Sequence, residues 1–355
     1  MNHMNDRAGQ QYNSAGQPRR AFLRQAGALA LATSCIPLPG SADAAARAGK
    51  QVPETLVTRL YESLNAKQRK EVCFAWDYVD KTRGLLRTRL ENNWKITRPS
   101  IKSSFFTADQ QVLMRDIFKG MTNPDWLDRW DQQLKDDVGG FGNNQSIAIF
   151  GEPGTDTFEF VLASRHMTQR CDGNSADHVA FGGPILYAHE GEGTFEEATH
   201  PSNVFWHQAV EANKLYDMFD GKQREKSLVI KGMPTEELVG FRGRKGQLDG
   251  LSVSEFSADQ KKHLQGVLKL LLEPFRKSDQ QEVMRCLDKQ GGLDHCSLAF
   301  YKEGDLGGDG IWDNWRLEGP SFVWYFRGTP HVHVWINVAD TDQVKLNSYQ
   351  NSVGV

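Results

Sequence analysis

The chain has few cysteines, no excess of positive charge and no long apolar run. Five cysteines among 355 residues exclude a small scaffold built from disulfides. The 42 lysine and arginine residues are balanced by 45 acidic ones, which argues against a general nucleic-acid-binding protein because such proteins need positive charge to neutralise phosphates. The composition, 39% hydrophobic and 25% charged, is that of a globular protein, so fibrous and wholly disordered chains are excluded as well.

Several common functional motifs are also missing or incomplete. No Gly-x-Ser-x-Gly sequence is present, so a serine hydrolase would lack its usual signature. Gly182-Gly183-Pro184 is not followed by the Lys-Ser/Thr of a phosphate-binding loop. The segment from Asp305 to Asp313 has aspartates at calcium-loop spacing, but Gly307 and Arg316 occupy the third and twelfth positions, where further ligands belong. We therefore interpret this segment as a Gly-Asp turn.

The first 46 residues have the layout of an export signal. Arg19-Arg20 precedes an uncharged stretch from Gln25 to Ile36 and a segment of small residues. This stretch is shorter than the roughly 20 residues that span a bilayer. The paired arginines resemble a twin-arginine signal, which directs folded proteins to a dedicated export machinery. We expect that machinery as a partner, cleavage after Ala44 or Ala46, a periplasmic or extracellular location, and no membrane span in the mature chain.

The cysteines leave two questions open. Cys35 allows a lipoprotein as an alternative to a soluble mature chain, although the leucine that usually stands three residues earlier is missing. Cys286 and Cys296 are separated by a glycine-containing loop and could form a disulfide in the periplasm. Folding in the cytosol before export would instead leave both thiols free.

Two short sequences occur twice along the chain in the same order. Phe106–Gln110 is repeated as Phe256–Gln260, and each copy opens a helical pattern with the spacing of a capping box. Upstream of these, Asn65–Arg69 is echoed by Asp220–Arg224. Downstream, each copy continues into aromatic, β-branched runs typical of hairpins. The chain therefore predicts two related units of helix, helix and hairpin.

This order predicts the domain organisation and the fold class. We expect a single α+β domain over residues 47–340, with a mainly antiparallel sheet core and helices packed outside it. Its related halves would be residues 54–173 and 206–340, in approximate two-fold symmetry, with residues 174–205 as a Gly- and Glu-rich insertion. Residues 341–355 would form a polar C-terminal tail.

Three histidines are the candidate metal ligands. His331 and His333 are two residues apart in a strand-like run, so both point to one face. The repeat matches His166 with His331, and two-fold symmetry would bring all three together. Three imidazoles with one open position form the layout of a catalytic zinc or copper site. The alternative is a set of histidines that only donate hydrogen bonds within an aromatic sheet.

Three further side chains are candidates for catalysis. Glu318 is the first choice for a carboxylate that acts as fourth ligand, as acceptor of a histidine N–H or as general base, and Asp172 is the second choice. Arg165, next to His166, could bind an anionic substrate, and a structural salt bridge is its simpler interpretation.

The chain resembles the bacterial domain-of-unknown-function family number three thousand five hundred over most of its mature length. The motifs that carry the resemblance are Arg165-His166 with Asp172–Asn174, Ala180–Pro184, Gly221–Arg224, Glu318–Pro320 and Pro330–His333. Many members have Gly-His-His where this chain has Ser164-Arg165-His166, so Arg165 replaces the first histidine of that pair. Members often carry export signals. The resemblance implies membership of the family and no particular activity.

Two functions from different classes fit these observations. The first is an exported metal-dependent enzyme that acts on an unknown small molecule. The alternative is a non-catalytic periplasmic protein that binds a small ligand or a metal. The sequence does not decide whether the chain is an enzyme, and it leaves the substrate, the reaction, the metal and the oligomeric state open.

Overall fold

The computed structural model describes residues 52–344 except residues 174, 192–195, 198 and 237. The predicted export signal, residues 1–46, and most of the predicted tail lie outside the described residues. Those that are described belong to one compact unit, residues 50–355. Within them, no helix combines the length and the apolar character needed to cross a membrane.

The described part of the chain contains eight α-helices and thirteen strands, many of the strands short. The helices are α1 (Pro53–Ser63), α2 (Ala66–Val72), α3 (Ala108–Met121), α4 (Leu127–Val138), α5 (His207–Asp217), α6 (Gly221–Ser227), α7 (Ala258–Leu272) and α8 (Lys277–Gln290). The strands are β1 (Cys73–Phe74), β2 (Val79–Asp80), β3 (Gly84–Leu85), β4 (Ser146–Gly151), β5 (Phe158–Ser164), β6 (Met167–Cys171), β7 (Ile185–His189), β8 (Leu228–Val229), β9 (Leu251–Ser252), β10 (Ser297–Tyr301), β11 (Asn314–Gly319), β12 (Phe322–Arg327) and β13 (Val332–Val338).

One large sheet organises the molecule. Its strand order is β1-β4-β5-β6-β7-β13-β12-β11-β10-β8, with β9 paired to β10, and β2 and β3 form a separate hairpin. Neighbouring strands are antiparallel except for the parallel pairs β1–β4 and β8–β10. The predicted α+β class with a mainly antiparallel sheet is therefore confirmed.

Both faces of the sheet are covered, as β13 illustrates. Val334 and Ile336 pack into the large core that the helices share with the sheet. Trp335 points to the opposite face, where residues such as Leu90 and Val239 of the long connecting segments cover the sheet. His333 alternates with Val334 and therefore lies on the face covered by these connections.

The strand order reads β1-β4-β5-β6-β7 from one edge and β8-β10-β11-β12-β13 from the other. Counted in this way, the turn between β5 and β6, which contains His166, corresponds to the turn between β11 and β12. It does not correspond to the segment before β13, which contains His331, so the strand order does not support the predicted equivalence of these two histidines. Approximate two-fold symmetry of the halves stays a prediction.

Two sequence expectations are refined by the structure. The stretch 174–205, expected as an insertion between the halves, contains β7, which lies in the centre of the sheet. Cys286 and Cys296 are free thiols, as are the other two cysteines in the described residues. Burial raises the pKa of both the Cys286 and the Cys296 thiol to about 12, so the structure shows two inert, buried thiols and no bridge.

Candidate metal centre

His166 is presented by the tight turn between β5 and β6. Its φ of 62° places it in the left-handed region, which is uncommon for a residue other than glycine and costs of order 1–3 kcal/mol. Two backbone hydrogen bonds hold this conformation. The N–H of His166 donates to the carbonyl of Asn92 at 2.8 Å, and its own carbonyl accepts from Ala188 at 3.0 Å. The turn therefore projects one imidazole from the end of the sheet.

His331 and His333 reach the same place from the start of β13. His333 is paired with Ala188 of β7, and β7 lies between β13 and β6. The β5–β6 turn and the start of β13 therefore lie at the same end of three neighbouring strands. His166 and His333 are buried, with 3% and 4% of their surface exposed, whereas His331 is half-buried. The cluster is therefore accessible to solvent on the side of His331.

The three imidazoles converge through their Nε2 atoms. The Nε2 atom of His166 lies 3.2 Å from that of His331 and 3.3 Å from that of His333. Nitrogens that share a tetrahedral zinc ion at bonds of 2.0–2.1 Å are separated by about 3.3 Å. Ligand atoms of all three residues lie within 4.8 Å of one another, so the group could hold a metal ion.

The opposite nitrogen of two of these rings lies against a carboxylate. The Nδ1 atom of His333 is 2.6 Å from Glu236 Oε2, and that of His166 is 3.1 Å from Asp137 Oδ1. A carboxylate at Nδ1 favours the tautomer with its proton there, which leaves the lone pair of Nε2 directed at the centre. This arrangement is typical of histidines that bind metals.

The carboxylates are themselves held in place. Asp137 lies at the end of α4, where Gln133 Nε2 donates to its Oδ2 at 2.8 Å and the N–H of Glu190 donates to its Oδ1 at 3.0 Å. Glu236 lies in the connection between β8 and β9, where it also pairs with Arg327. The centre is thus supported from the helix-covered face by α4 and from the other face by this connection.

The electrostatics favour neutral imidazoles at His166 and His331 beside ionised carboxylates. Burial, followed by repulsion from His333 and His166, lowers the pKa of His331 to about 3, and burial lowers the pKa of His166 although Asp137 opposes it. Burial acts to raise the pKa of Asp137, but its contacts with His166 outweigh that effect and lower it. Burial likewise acts to raise the pKa of Glu236, but its contacts with His333 and Arg327 together outweigh that effect and lower it.

The structure does not bring Glu318 to the histidines. Asn314 of β11 lies in the same row of the sheet as His333, and Glu318 is four residues further along, or about 13 Å. Its Oε1 accepts hydrogen bonds from Arg316 at 2.8 Å and from Arg242 at 3.1 Å. Glu318 therefore belongs to a separate ion-pair cluster.

Asp172 and Arg165 lie at different distances from the centre. Asp172 follows the far end of β6, about 20 Å along the strand from His166, and its Oδ2 accepts from the N–H of Ala176 at 2.8 Å. Arg165 adjoins the centre, where it pairs with Glu190 and donates to the carbonyl of Asp137 at 3.1 Å. Arg165 thus forms the salt bridge that its simpler interpretation predicted, and it also contacts a residue that supports His166.

Sequence reasoning missed both supporting carboxylates. Asp137 is the second acidic residue of Asp136-Asp137-Val138-Gly139, next to the left-handed glycine that ends α4. Glu236 lies in a connection without any recognised motif. The only local signal was the position of Asp137 beside a helix-terminating glycine, which indicates a helix end and not a site.

The fold and the centre define an α+β protein with three converging histidines that could hold a metal ion. Residues 54–337 match the model of DUF3500, described as a protein family of unknown function, and the chain belongs to this family. All three histidines and both supporting carboxylates fall within the matched range. Neither the curated proteins nor the solved structures include a significant match.

Proposed function

We propose that this protein is an exported metal-dependent enzyme in which His166, His331 and His333 hold a zinc ion. The observation that carries the proposal is the pair of carboxylates behind the converging rings. If Asp137 and Glu236 hold the protons of their histidines on Nδ1, the Nε2 atoms of His166 and His333 face each other as two acceptors, 3.3 Å apart. Two acceptors cannot share a hydrogen bond, whereas a cation between them is attracted to both.

The facing Nε2 atoms also argue against a purely structural role for the histidines. In a packed aromatic sheet, each imidazole N–H would find an acceptor and each bare nitrogen would find a donor. Here burial lowers the pKa of His166 and His331, and with the protons of His166 and His333 held on Nδ1 only the Nε2 proton of His331 is left to serve three nitrogens that face one another. A metal ion supplies the missing positive partner.

Zinc is the metal that the geometry favours. The Nε2 separations of 3.2 and 3.3 Å fit tetrahedral bonds, and a carboxylate behind a zinc-bound histidine is a common supporting contact. Copper remains the second metal that imidazole ligands suit, although Cu(II) prefers square-planar surroundings.

The arrangement leaves room for chemistry on a small molecule. Three protein ligands leave a fourth position for water or substrate, and the half-buried His331 places that position towards solvent. A bound zinc ion can activate water at neutral pH or polarise an oxygen of the substrate. The chain's own contribution is to keep Asp137 and Glu236 ionised, so that two of the three rings are fixed in the tautomer that binds.

The alternative function is a non-catalytic metal-binding protein, and one observation favours it: only His331 of the three is open to solvent. Cobalt(II) substitution separates the two proposals because the spectrum of tetrahedral cobalt changes when an added ligand takes an open position. A spectral response to azide or thiocyanate supports the enzyme. A spectrum that ignores such ligands supports the binding protein.

Metal analysis of the protein purified from its exported location tests the proposal directly. We expect one zinc ion per chain, lost in His333→Ala and retained in His178→Ala. His178 is a matched control because it also contacts a carboxylate, that of Asp340 at 3.0 Å, and is exposed away from the centre. Protein without stoichiometric metal, or metal that persists in His333→Ala, would contradict the proposed site.

A further inference from the structure

An ion pair flanks the side of the histidine centre that is accessible to solvent. The last residue pair between β13 and β7 is Val332 with His189. His331 and Glu190, the next residues beyond that pair, therefore leave the sheet next to each other. The carboxylate of Glu190 pairs with the guanidinium of Arg165. Because His331 is the half-buried ligand, this ion pair lies beside the approach to the proposed metal ion.

The carboxylate of Glu190 shows that an anionic group fits beside the histidines. One carboxylate oxygen of Glu190, one of Asp137 and a ring nitrogen of His166 all lie within 4.8 Å of one another. A second metal ion at these three residues would lie against the positive charge of Arg165, which makes the place unsuitable for a cation. Arg165 instead holds a negative group within reach of the centre.

Arg165 is anchored at one edge and leaves the other edge of its guanidinium for an anion. Its backbone N–H donates to Asn144 Oδ1 at 3.2 Å, and its Nη1 donates to the carbonyl of Asp137 at 3.1 Å. Its Nη2 contacts Glu190. Because a guanidinium offers five N–H donors in a planar fork, the bonds to Asn144 and Asp137 persist when the partner of Nη2 changes.

The partner of Arg165 can be exchanged at little cost. The exposed fraction of the side chain is 32% for Arg165 and 41% for Glu190, and ion pairs that are this exposed contribute little to stability because water screens them. When an incoming carboxylate replaces Glu190, the released side chain turns to solvent and Arg165 keeps an anionic partner. No charge is then left buried and unpaired.

We propose that Arg165 binds the carboxylate of a small anionic substrate at the histidine centre, in exchange for Glu190. This inference rests on the proposed metal-dependent enzyme and names the class of molecule on which it acts. A guanidinium fork matches the two oxygens of a carboxylate. A phosphate group also suits arginine, but its second negative charge would face Asp137 and Glu190, so a carboxylate is the better match.

Hydroxamates provide the test because they bind zinc and cobalt ions directly and can carry a second group. The probes are the monohydroxamates of malonic and succinic acid and the neutral amide of each. Their affinity for the Co(II)-loaded full chain is read from the change in the cobalt spectrum. We expect the better acid to bind at least about tenfold more tightly than its amide, because only the acid forms a charge-assisted bond with Arg165.

Arg165→Gln should remove this preference for the acid over the amide. The matched control is Arg115→Gln, because Arg115 of α3 is also partly exposed and paired with a carboxylate, that of Asp131 in α4. The control should keep the full preference.

Glu190→Gln tests the exchange of partners. It removes the competing carboxylate, so the acid should bind about two- to fivefold more tightly than in the wild type, which is the range that an exposed ion pair contributes. An ion pair with a purely structural role would give no such gain. This variant keeps Arg165 and is informative even if Arg165→Gln loses its metal.

The same spectra separate a failure of this inference from a failure of the proposed function. If no hydroxamate changes the cobalt spectrum, the open metal position is contradicted, and the proposed enzyme and its substrate class fall together. If acid and amide bind equally, the metal position is open but Arg165 does not bind a carboxylate. Tighter binding of phosphonoacetohydroxamate than of the malonic probe would overturn the carboxylate in favour of a phosphate group.

Discussion

A single carboxylate decides which nitrogen of His333 is free to bind a metal. Glu236 contacts the Nδ1 atom at 2.6 Å and is anchored by Arg327. Glu236→Gln keeps the size of the side chain but removes its charge and its ion pair, so the ring loses its preferred tautomer. We expect zinc affinity to fall about 10–100-fold, measured by competition with a chromophoric chelator.

The matched control for Glu236→Gln is Glu255→Gln. Glu255 is also paired with a cation, Lys226, but lies exposed on another part of the surface. Its variant should bind zinc like the wild type. Equal zinc affinity in Glu236→Gln and the wild type would show that Glu236 does not orient His333.

The pH dependence of the metal-free protein follows from His331. Its pKa is about 3 in the folded chain against 6.5 for the free side chain, so the unfolded chain binds this proton more readily. The free energy of unfolding must then fall as the pH drops from about 6.5 towards about 3. We expect the free energy of unfolding to fall less in His331→Ala than in the wild type, measured by urea unfolding at pH 6.5 and 4.5 without metal.

The wild type must be compared with His331→Ala because other groups change the free energy of unfolding in the opposite direction. Burial raises the pKa of Glu282 and of Asp313 to about 7, so these carboxyl groups contribute stability that is lost as the pH rises. Their effect is common to wild type and variant and cancels in the difference. If both proteins lost stability equally between pH 6.5 and 4.5, His331 would not carry a lowered pKa.

At the scale of elements, a short helix and a longer one are joined in each half of the chain through a pair of glutamines. Each of α2, α3, α6 and α7 begins with a capping box whose third residue is glutamine. Gln68 Nε2 donates to Gln110 Oε1 at 2.8 Å, and Gln260 Nε2 donates to Gln223 Oε1 at the same distance. The repeated sequences thus form the same contact twice, once in each half of the chain.

Gln110→Ala tests how much the contact between Gln68 and Gln110 stabilises the fold. Gln110 is buried, accepts from the backbone N–H of Thr107 and donates to the carbonyl of Ser63, so its removal leaves buried polar groups without partners. We expect a loss of about 1–3 kcal/mol in the free energy of unfolding, measured by urea denaturation. Gln265→Ala, at an exposed position of α7, is the control and should change stability little. A similar change in the free energy of unfolding of both variants would contradict a stabilising role of the glutamine contact.

These elements show what the sequence could and could not predict. The capping boxes at Thr107 and Ser257 were predictable because a cap depends on residues within one turn. The side-by-side placement of His331 and His333 was predictable from strand alternation. Strand order depends on pairings between distant segments, which sequence spacing does not show, and the observed order does not support the match of His166 with His331.

At the scale of the whole molecule, the candidate centre draws on four separate segments. The end of α4 provides Asp137, the β5–β6 turn provides His166 and the β8–β9 connection provides Glu236. The start of β13 provides His333, and His331 lies directly before this strand. Carboxylates that support a site from a helix end or an irregular connection have no periodic pattern, so sequence reasoning chose Glu318 and Asp172 instead. The supporting residues become recognisable only in the folded structure, where the sheet brings these four segments together.

Export of the folded chain would link the metal centre to the N-terminal arginines. The proposed centre assembles only when segments between Asp137 and His333 have come together, so a metal loaded in the cytosol requires folding before transport. A twin-arginine route permits that order, whereas export of an unfolded chain would leave metal binding to the periplasm. Arg19→Lys with Arg20→Lys keeps the positive charge but removes both guanidinium groups.

We expect the double variant to stay in the cytosol as a folded precursor that contains zinc, measured by cell fractionation and by metal analysis of each fraction. Arg24→Lys, in the same basic segment, is the control and should leave export unchanged. Normal delivery of the double variant would replace the twin-arginine route with general secretion. A folded cytosolic precursor without zinc would mean that the centre is filled after export, because the three histidines are already assembled in the folded chain.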